Sequence, residues 1–91
     1  MYNLQVQAEA FHELQEAFQW YETQQEGLGW KFISAFEEAC VKLQHHPQHY
    51  TALNEHFRRY RLQGFPYLLV YEIEAGNVII IAVRHAAMRP L

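Results

Sequence analysis

The hydrophobic period of this chain passes from helical to strand-like beyond its midpoint, and that change restricts the fold more than any other feature. From Ala8 onward, Phe11, Leu14, Phe18 and Tyr21 fall at i, i+3, i+7 and i+10, the spacing of one apolar stripe along a helix. Glu9, Glu13 and Glu16 lie off that stripe, toward water, and acids in an opening turn suit the positive end of the helix dipole. Gly27-Leu28-Gly29 breaks the pattern, because glycine is unfavourable inside a helix and favoured at its end. A second stripe follows in Phe32 or Ile33, Phe36, Cys40 and Leu43. It stops before Pro47, which disfavours helix at His46. Two helices joined by so short a break are predicted to form an antiparallel hairpin.

Beyond His56 the period is two. Phe57 to Gln63, Tyr67 to Glu74 and Val78 to Arg84 each read as strands rich in tyrosine and branched aliphatics. Gly64-Phe65-Pro66 and Ala75-Gly76-Asn77 are the turns between them, the second short enough for a tight hairpin. At the other end, Leu4 and Val6 alternate with Asn3 and Gln5, so Tyr2 to Val6 reads as a short strand. The expected fold is α+β in the order β-α-α-β-β-β. An N-terminal short strand precedes a two-helix antiparallel hairpin packed on a C-terminal antiparallel sheet, all in one domain over residues 1–91. No run of about 18 apolar residues exists to cross a membrane, and the opening MYNLQVQAEAFHE lacks the layout of a signal peptide. The lone Cys40 excludes an intrachain disulfide framework and fits a reducing compartment, which points to the cytoplasm.

Charge is divided along the chain. The formal total is −3, yet residues 1–55 carry eight glutamates against Lys31 and Lys42. Residues 56–91 carry Arg58, Arg59, Arg61, Arg84 and Arg89 against Glu72 and Glu74. Every cation in the second half is arginine, whose planar fork matches carboxylate or phosphate. Strand alternation then sorts side chains into two faces. Tyr60, Leu62, Tyr67, Leu69, Tyr71, Ile73, Ile79, Ile81 and Val83 are the bulkier set and are assigned to the helix side. The other face is expected to show Leu68, Val70, Ile80 and Ala82, ringed by Arg59, Arg61 and Arg84. An apolar centre with a cationic rim suits a protein partner. The alternative is that Tyr2 to Val6, a tail or a second copy covers it.

Several pieces together resemble the toxins of the RelE/ParE superfamily. They are Trp20-Tyr21-Glu22 near the end of the first helix, Gly27-Leu28-Gly29 with Phe32, and Leu43 before Pro47. In the second half they are the paired arginines, Leu62, Phe65-Pro66-Tyr67, Val70-Tyr71 and Val83 to Pro90. The resemblance covers nearly the whole chain in order. It implies a toxin of a type II toxin–antitoxin, or plasmid stabilization, module held inactive by a cognate antitoxin that folds along its surface.

The resemblance implies one of two mechanisms. RelE-like members are metal-independent ribonucleases that cut messenger RNA on the ribosome, which requires a base and a charge stabiliser. ParE-like members poison DNA gyrase. Arg59 and Arg61 match two basic positions of the ribonuclease branch, and His85 and Arg89 are its candidate base and phosphate ligand. Leu68 stands after Tyr67 where that branch can place arginine, and alternation puts His85 on the face opposite Arg59, Arg61 and Arg84. Net acidity also disfavours approach to ribosomal RNA, where cation count dominates affinity. The ParE-like reading is therefore preferred, with a non-toxic antitoxin-binding relative as the third possibility.

Other signals are weaker. His45, His46, His49 and His56 invite a metal reading, but adjacent rings at a helix end point apart, and a solvated terminus is the simpler expectation. Cys40 lies on an apolar stripe and reads as a packing thiol. Trp20 and Trp30 are expected to close the core or the helix hairpin, Tyr67 and Tyr71 to be core, and Arg58 to pair with Glu55 or Glu22. Without aspartate, and with Ser34 as the only serine, in mid-helix, a serine–histidine–acid triad is not expected. Nor is any cofactor or metal.

Overall fold

In the computed structural model of the protein, residues 1–87 are described. Strand β1 (Asn3–Val6) is followed by helices α1 (Ala8–Gln24) and α2 (Leu28–His45) and one 3-10 turn at Pro47–His49. Strands β2 (Thr51–Ala52), β3 (Arg58–Arg61), β4 (Tyr67–Glu74) and β5 (Asn77–His85) complete it. They form a single sheet in the order β1-β5-β4-β3-β2, with the helical hairpin on one face. The α+β architecture and the order of its elements agree with the sequence reading. The sheet is mixed rather than wholly antiparallel, because β1 lies parallel to β5, with Val6 opposite Ile80. The two-residue β2 is an addition that no periodicity could reveal.

The core lies between hairpin and sheet. Phe32, Leu43, Leu69, Tyr71, Val78 and Ile80 are its fully buried centre. On α1 the buried stripe is Ala10, Leu14, Ala17 and Tyr21, not the expected Phe11-Leu14-Phe18-Tyr21. Two alanines let the helix settle close to the sheet, whereas Phe11 is displaced to the flank and is 51% exposed. Counting large apolar residues cannot see a contact made by small ones. Both tryptophans stay outside the core, Trp20 being 56% and Trp30 63% exposed, and Trp30 packs across the helix hairpin on Phe18, one of the two placements expected.

Two glycines shape the hairpin. Gly27 takes a left-handed conformation at the start of α2, with φ of 87°, which glycine enters without a steric penalty. Gly29 lies where the helices touch. A β-carbon there would sit 2.6 Å from Cγ of Glu22 and 2.8 Å from the backbone oxygen of Phe18. The Gly29 N–H donates to Oε1 of Glu22 at 2.8 Å, satisfying one of the unpaired amides of the α2 first turn. At the far end, the buried Tyr71 hydroxyl donates to the Pro47 carbonyl at 2.6 Å. That bond fixes the corner between α2 and the sheet.

A bulge in the β4–β5 ladder decides which side chains face outward. Val70 pairs with Ala82, but the next residue, Tyr71, pairs with Ile80, so Ile81 has no opposite number. A bulge of one residue reverses the facing of everything beyond it. Val83 thus points to the helices together with Ile80 and Val78. This corrects the expected placing of Ile80 on the open face: it is fully buried under the hairpin. Ile79 and Ile81, expected under the helices, turn outward instead and are half-buried.

Candidate functional site

The face of the sheet away from the helices is built from cross-strand rows. Arg61 lies opposite Leu68, and Leu68 opposite Arg84. The next row joins Thr51, Arg59, Val70 and Ala82. The structure therefore brings together Arg59, Arg61, Leu68, Val70, Ala82 and Arg84 as expected from alternation, and removes Ile80. The apolar centre is narrower than expected. Val70 and Ala82 are only 4% and 2% exposed although neither belongs to the helix-side core. These short side chains lie sunk between longer neighbours on their own face. Leu68, Ile79, Ile81 and Phe57, which lines a shallow concavity with Ile81, Ala82 and Arg84, supply what apolar surface the face presents.

The arginines differ in what they touch. Arg84 Nε donates to Oε2 of Glu13 at 2.8 Å, and Oε1 of Glu13 accepts the Val83 N–H at 2.9 Å. The cause is the short β1: it stops opposite Ile80, which leaves the β5 edge unpaired farther along, and the carboxylate from α1 caps it. Glu13, expected to face water, thus ties α1 to β5 and neutralises Arg84. Arg58 donates through Nη1 to the carbonyls of Tyr50 at 2.7 Å and Gln48 at 3.2 Å, rather than pairing with Glu55 or Glu22. Arg59 and Arg61 are exposed and have no hydrogen bond or ion pair among the described residues.

Beside these two arginines lies a cleft of about 410 Å³, lined also by Tyr50, Thr51, Tyr60, Leu68 and Ala86. The rings of Tyr50 and Tyr60 meet edge to face at 4.8 Å. Sequence reasoning missed Tyr50 and Thr51, because the strand that carries Thr51 is too short to show a period, and it placed Tyr60 wholly in the core.

Among the described residues, the expected base His85 is not brought to Arg59 and Arg61. His85 pairs with Tyr67 on the helix side, its ring 5.2 Å from that of Tyr67, and its Nδ1 accepts the Ala87 N–H at 3.1 Å. Arg89 lies outside the described residues. Burial pushes the Tyr67 hydroxyl up from its ordinary value. It pushes Tyr71 up to about 12, partly opposed by Arg58. The Cys40 thiol, 6% exposed, is raised to about 12 by burial and by Glu37. Each stays protonated at neutral pH. Among the described residues, no three metal-ligating side chains come together. His45 lies at the solvated helix end with Nδ1 2.9 Å from the Val41 carbonyl.

A second concave surface lies on the outside of the hairpin. Phe11, Leu14, Phe18, Trp30, Ile33 and Phe36 line a groove of about 420 Å³, with the ring of Trp30 edge-on to Phe18 at 4.8 Å. Phe11 and Phe18 in this lining are the aromatics that the small-residue contacts of α1 displaced, whereas Leu14 and Phe36 belong to the core.

With this geometry in place, one family model accounts for nearly the whole chain. The family model described as ParE toxin of type II toxin-antitoxin system, parDE, matches residues 4–90. A solved structure titled "Chromosomal ParDE TA system from P. aeruginosa" is similar in fold, with a TM-score of 0.80 at 16% identity, over 93% of this chain and 96% of that one. No curated protein matches the chain. Among the described residues, no helix is long and apolar enough to cross a membrane.

Proposed function

Because the chain belongs to the ParE toxin family of type II toxin–antitoxin systems, we propose that it is a toxin held inactive by a cognate antitoxin and that, once released, it binds and poisons DNA gyrase. The open sheet face is the docking surface in this reading, with Arg59, Arg61 and Leu68 making contact over a floor of Val70 and Ala82. Arg84 contributes at its edge while remaining paired with Glu13. The observation that carries the reading is the pair of exposed arginines with no side-chain partner among the described residues, on a face that the protein's own helices leave uncovered.

The same face argues for a binding poison over a ribonuclease. Transfer through the 2′-hydroxyl needs a group near neutral pKa beside the charge stabiliser. His85, the expected base, lies on the other side of the sheet. The formal charge of −3 also works against docking on RNA.

Expression in bacteria lacking the antitoxin tests the proposal. Filamentation with an SOS response, and gyrase-dependent cleavage of supercoiled DNA by the pure protein, are the expected results. Unimpaired growth would leave a non-toxic antitoxin-binding relative. Transcript cleavage on ribosomes with untouched supercoiled DNA would replace gyrase by the ribosome and messenger RNA as the target.

A further inference from the structure

We infer that the cleft at the β2–β3 edge recognises carboxylates, and that it takes an extended, acidic segment of a partner protein with acids two positions apart; this rests on the docking face proposed above and specifies its chemistry.

Three observations converge there. Four arginines fall within the described residues, and two are already satisfied: Arg58 by backbone carbonyls and Arg84 by Glu13. Among the described residues Arg59 and Arg61 keep their full sets of side-chain donors, and a guanidinium fork is matched best by a planar oxyanion. The two are separated by a single residue on one strand, so they project from the same face about 7 Å apart. Acids at i and i+2 of an extended segment repeat that spacing.

The backbone supplies the third observation. The Leu62 N–H donates to the Tyr67 carbonyl, so alternate residues of β3 turn their main-chain groups toward β4, and Arg59 and Arg61 turn theirs to the other edge. Thr51 covers Arg59. The 3-10 turn at Pro47–His49 then takes the chain away before it can cover Arg61. An extended segment entering the cleft meets one open edge position, two guanidinium forks and the half-buried Leu68, the elements of strand-addition recognition.

A nucleic acid fits less well. It needs many cations along its backbone, whereas Glu72 lies opposite Ile79 on this same face and the hairpin behind is acidic.

The test uses the intact protein and three fluorescent probes. One is a nine-residue valine–threonine peptide with two aspartates two positions apart. The second has the same composition with the aspartates adjacent, so that they point to opposite faces. The third is a single-stranded RNA oligonucleotide of nine nucleotides. Anisotropy titrations should show the spaced peptide binding roughly tenfold more tightly than the adjacent one. Arg59→Gln and Arg61→Gln should each weaken it by about tenfold, and Arg61→Lys by about threefold, since charge survives but the fork does not. Equal affinity for the two peptides, unchanged affinity in the glutamine variants, or tighter binding of the RNA overturns the inference. Because the probes are defined and no cell is involved, these outcomes are independent of toxicity, which the growth experiment decides separately.

Discussion

Replacing Gly29 by alanine sets two effects against each other, and the structure says which wins. In an open helix, glycine to alanine gains about 1 kcal/mol from backbone entropy and better propensity. Here the new β-carbon would meet Cγ of Glu22 at 2.6 Å, Cδ1 of Phe18 at 2.8 Å and the Phe18 backbone oxygen at 2.8 Å. Glu22 can swing aside, but then the 2.8 Å bond from the Gly29 N–H is lost, which costs about 1–2 kcal/mol for a charged acceptor. The Phe18 oxygen belongs to α1 and moves only if the helices part, an overpacking penalty of about 1–3 kcal/mol. The net is a destabilisation of about 1–4 kcal/mol, which for a domain of this size lowers Tm by roughly 5–30 °C. Thermal and urea unfolding followed by circular dichroism measure it, with Ser34→Ala on the exposed side of the same helix as control. That control should be neutral or slightly stabilising. A Gly29→Ala protein as stable as, or more stable than, the parent would refute the close-contact account of this hairpin.

Other perturbations address the rest of the framework. Tyr71→Phe leaves the Pro47 carbonyl without its donor and should cost about 1–2 kcal/mol in urea unfolding, with the sheet intact by circular dichroism. Stability should also fall at alkaline pH: Cys40 and Tyr71 are raised from 9.0 and 10.0 to about 12, so the unfolded chain loses protons that the native one keeps. Their contribution is complete below about pH 9 and disappears as pH rises toward 12, which urea midpoints between pH 8 and 11 would show as a steady decline; a flat profile contradicts it. At pH 8, Cys40 should resist a thiol reagent until urea unfolds the protein, and rapid native-state labelling would contradict its burial. Glu13→Gln removes the charge facing Arg84 and should destabilise by about 0.5–1 kcal/mol at low ionic strength, with less effect in high salt; a salt-independent loss would assign its role to the Val83 bond alone.

Much of the fold was legible because two periods and two breakers say different things. Gly27 and Pro47 bound α2, and the extent of β4 agrees residue for residue with its alternating run. What was illegible had physical causes. Ala10 and Ala17 carry the close approach of α1, and small residues leave no mark in a count of large apolar ones. The bulge at Ile81 arises from the packing of two strands, and no single strand announces it. The expected face assignment therefore held for Leu68, Val70, Ala82 and Arg84 and failed for Ile79, Ile80 and Ile81. The cleft was hidden for a similar reason: Tyr50 and Thr51 approach Arg59 and Arg61 only because the chain turns at Pro47.

The run Arg58-Arg59-Tyr60-Arg61 shows why sequence charge alone misjudges such a surface. Read linearly, it is one basic cluster, but strand alternation and the Pro47 turn split it. Arg58 is spent holding the carbonyls of Gln48 and Tyr50, so its removal would loosen the corner that shapes the cleft. Arg59 and Arg61 hold nothing in the described fold, so their substitution by glutamine should leave Tm within about 2 °C of the parent while changing what the face can bind. A variant of Arg58 should do the reverse, lowering stability first and binding only as a consequence. If melting temperature and peptide affinity instead fell together for all three arginines, the division between scaffold and docking residues would be wrong, and the cluster would have to be treated as one structural unit.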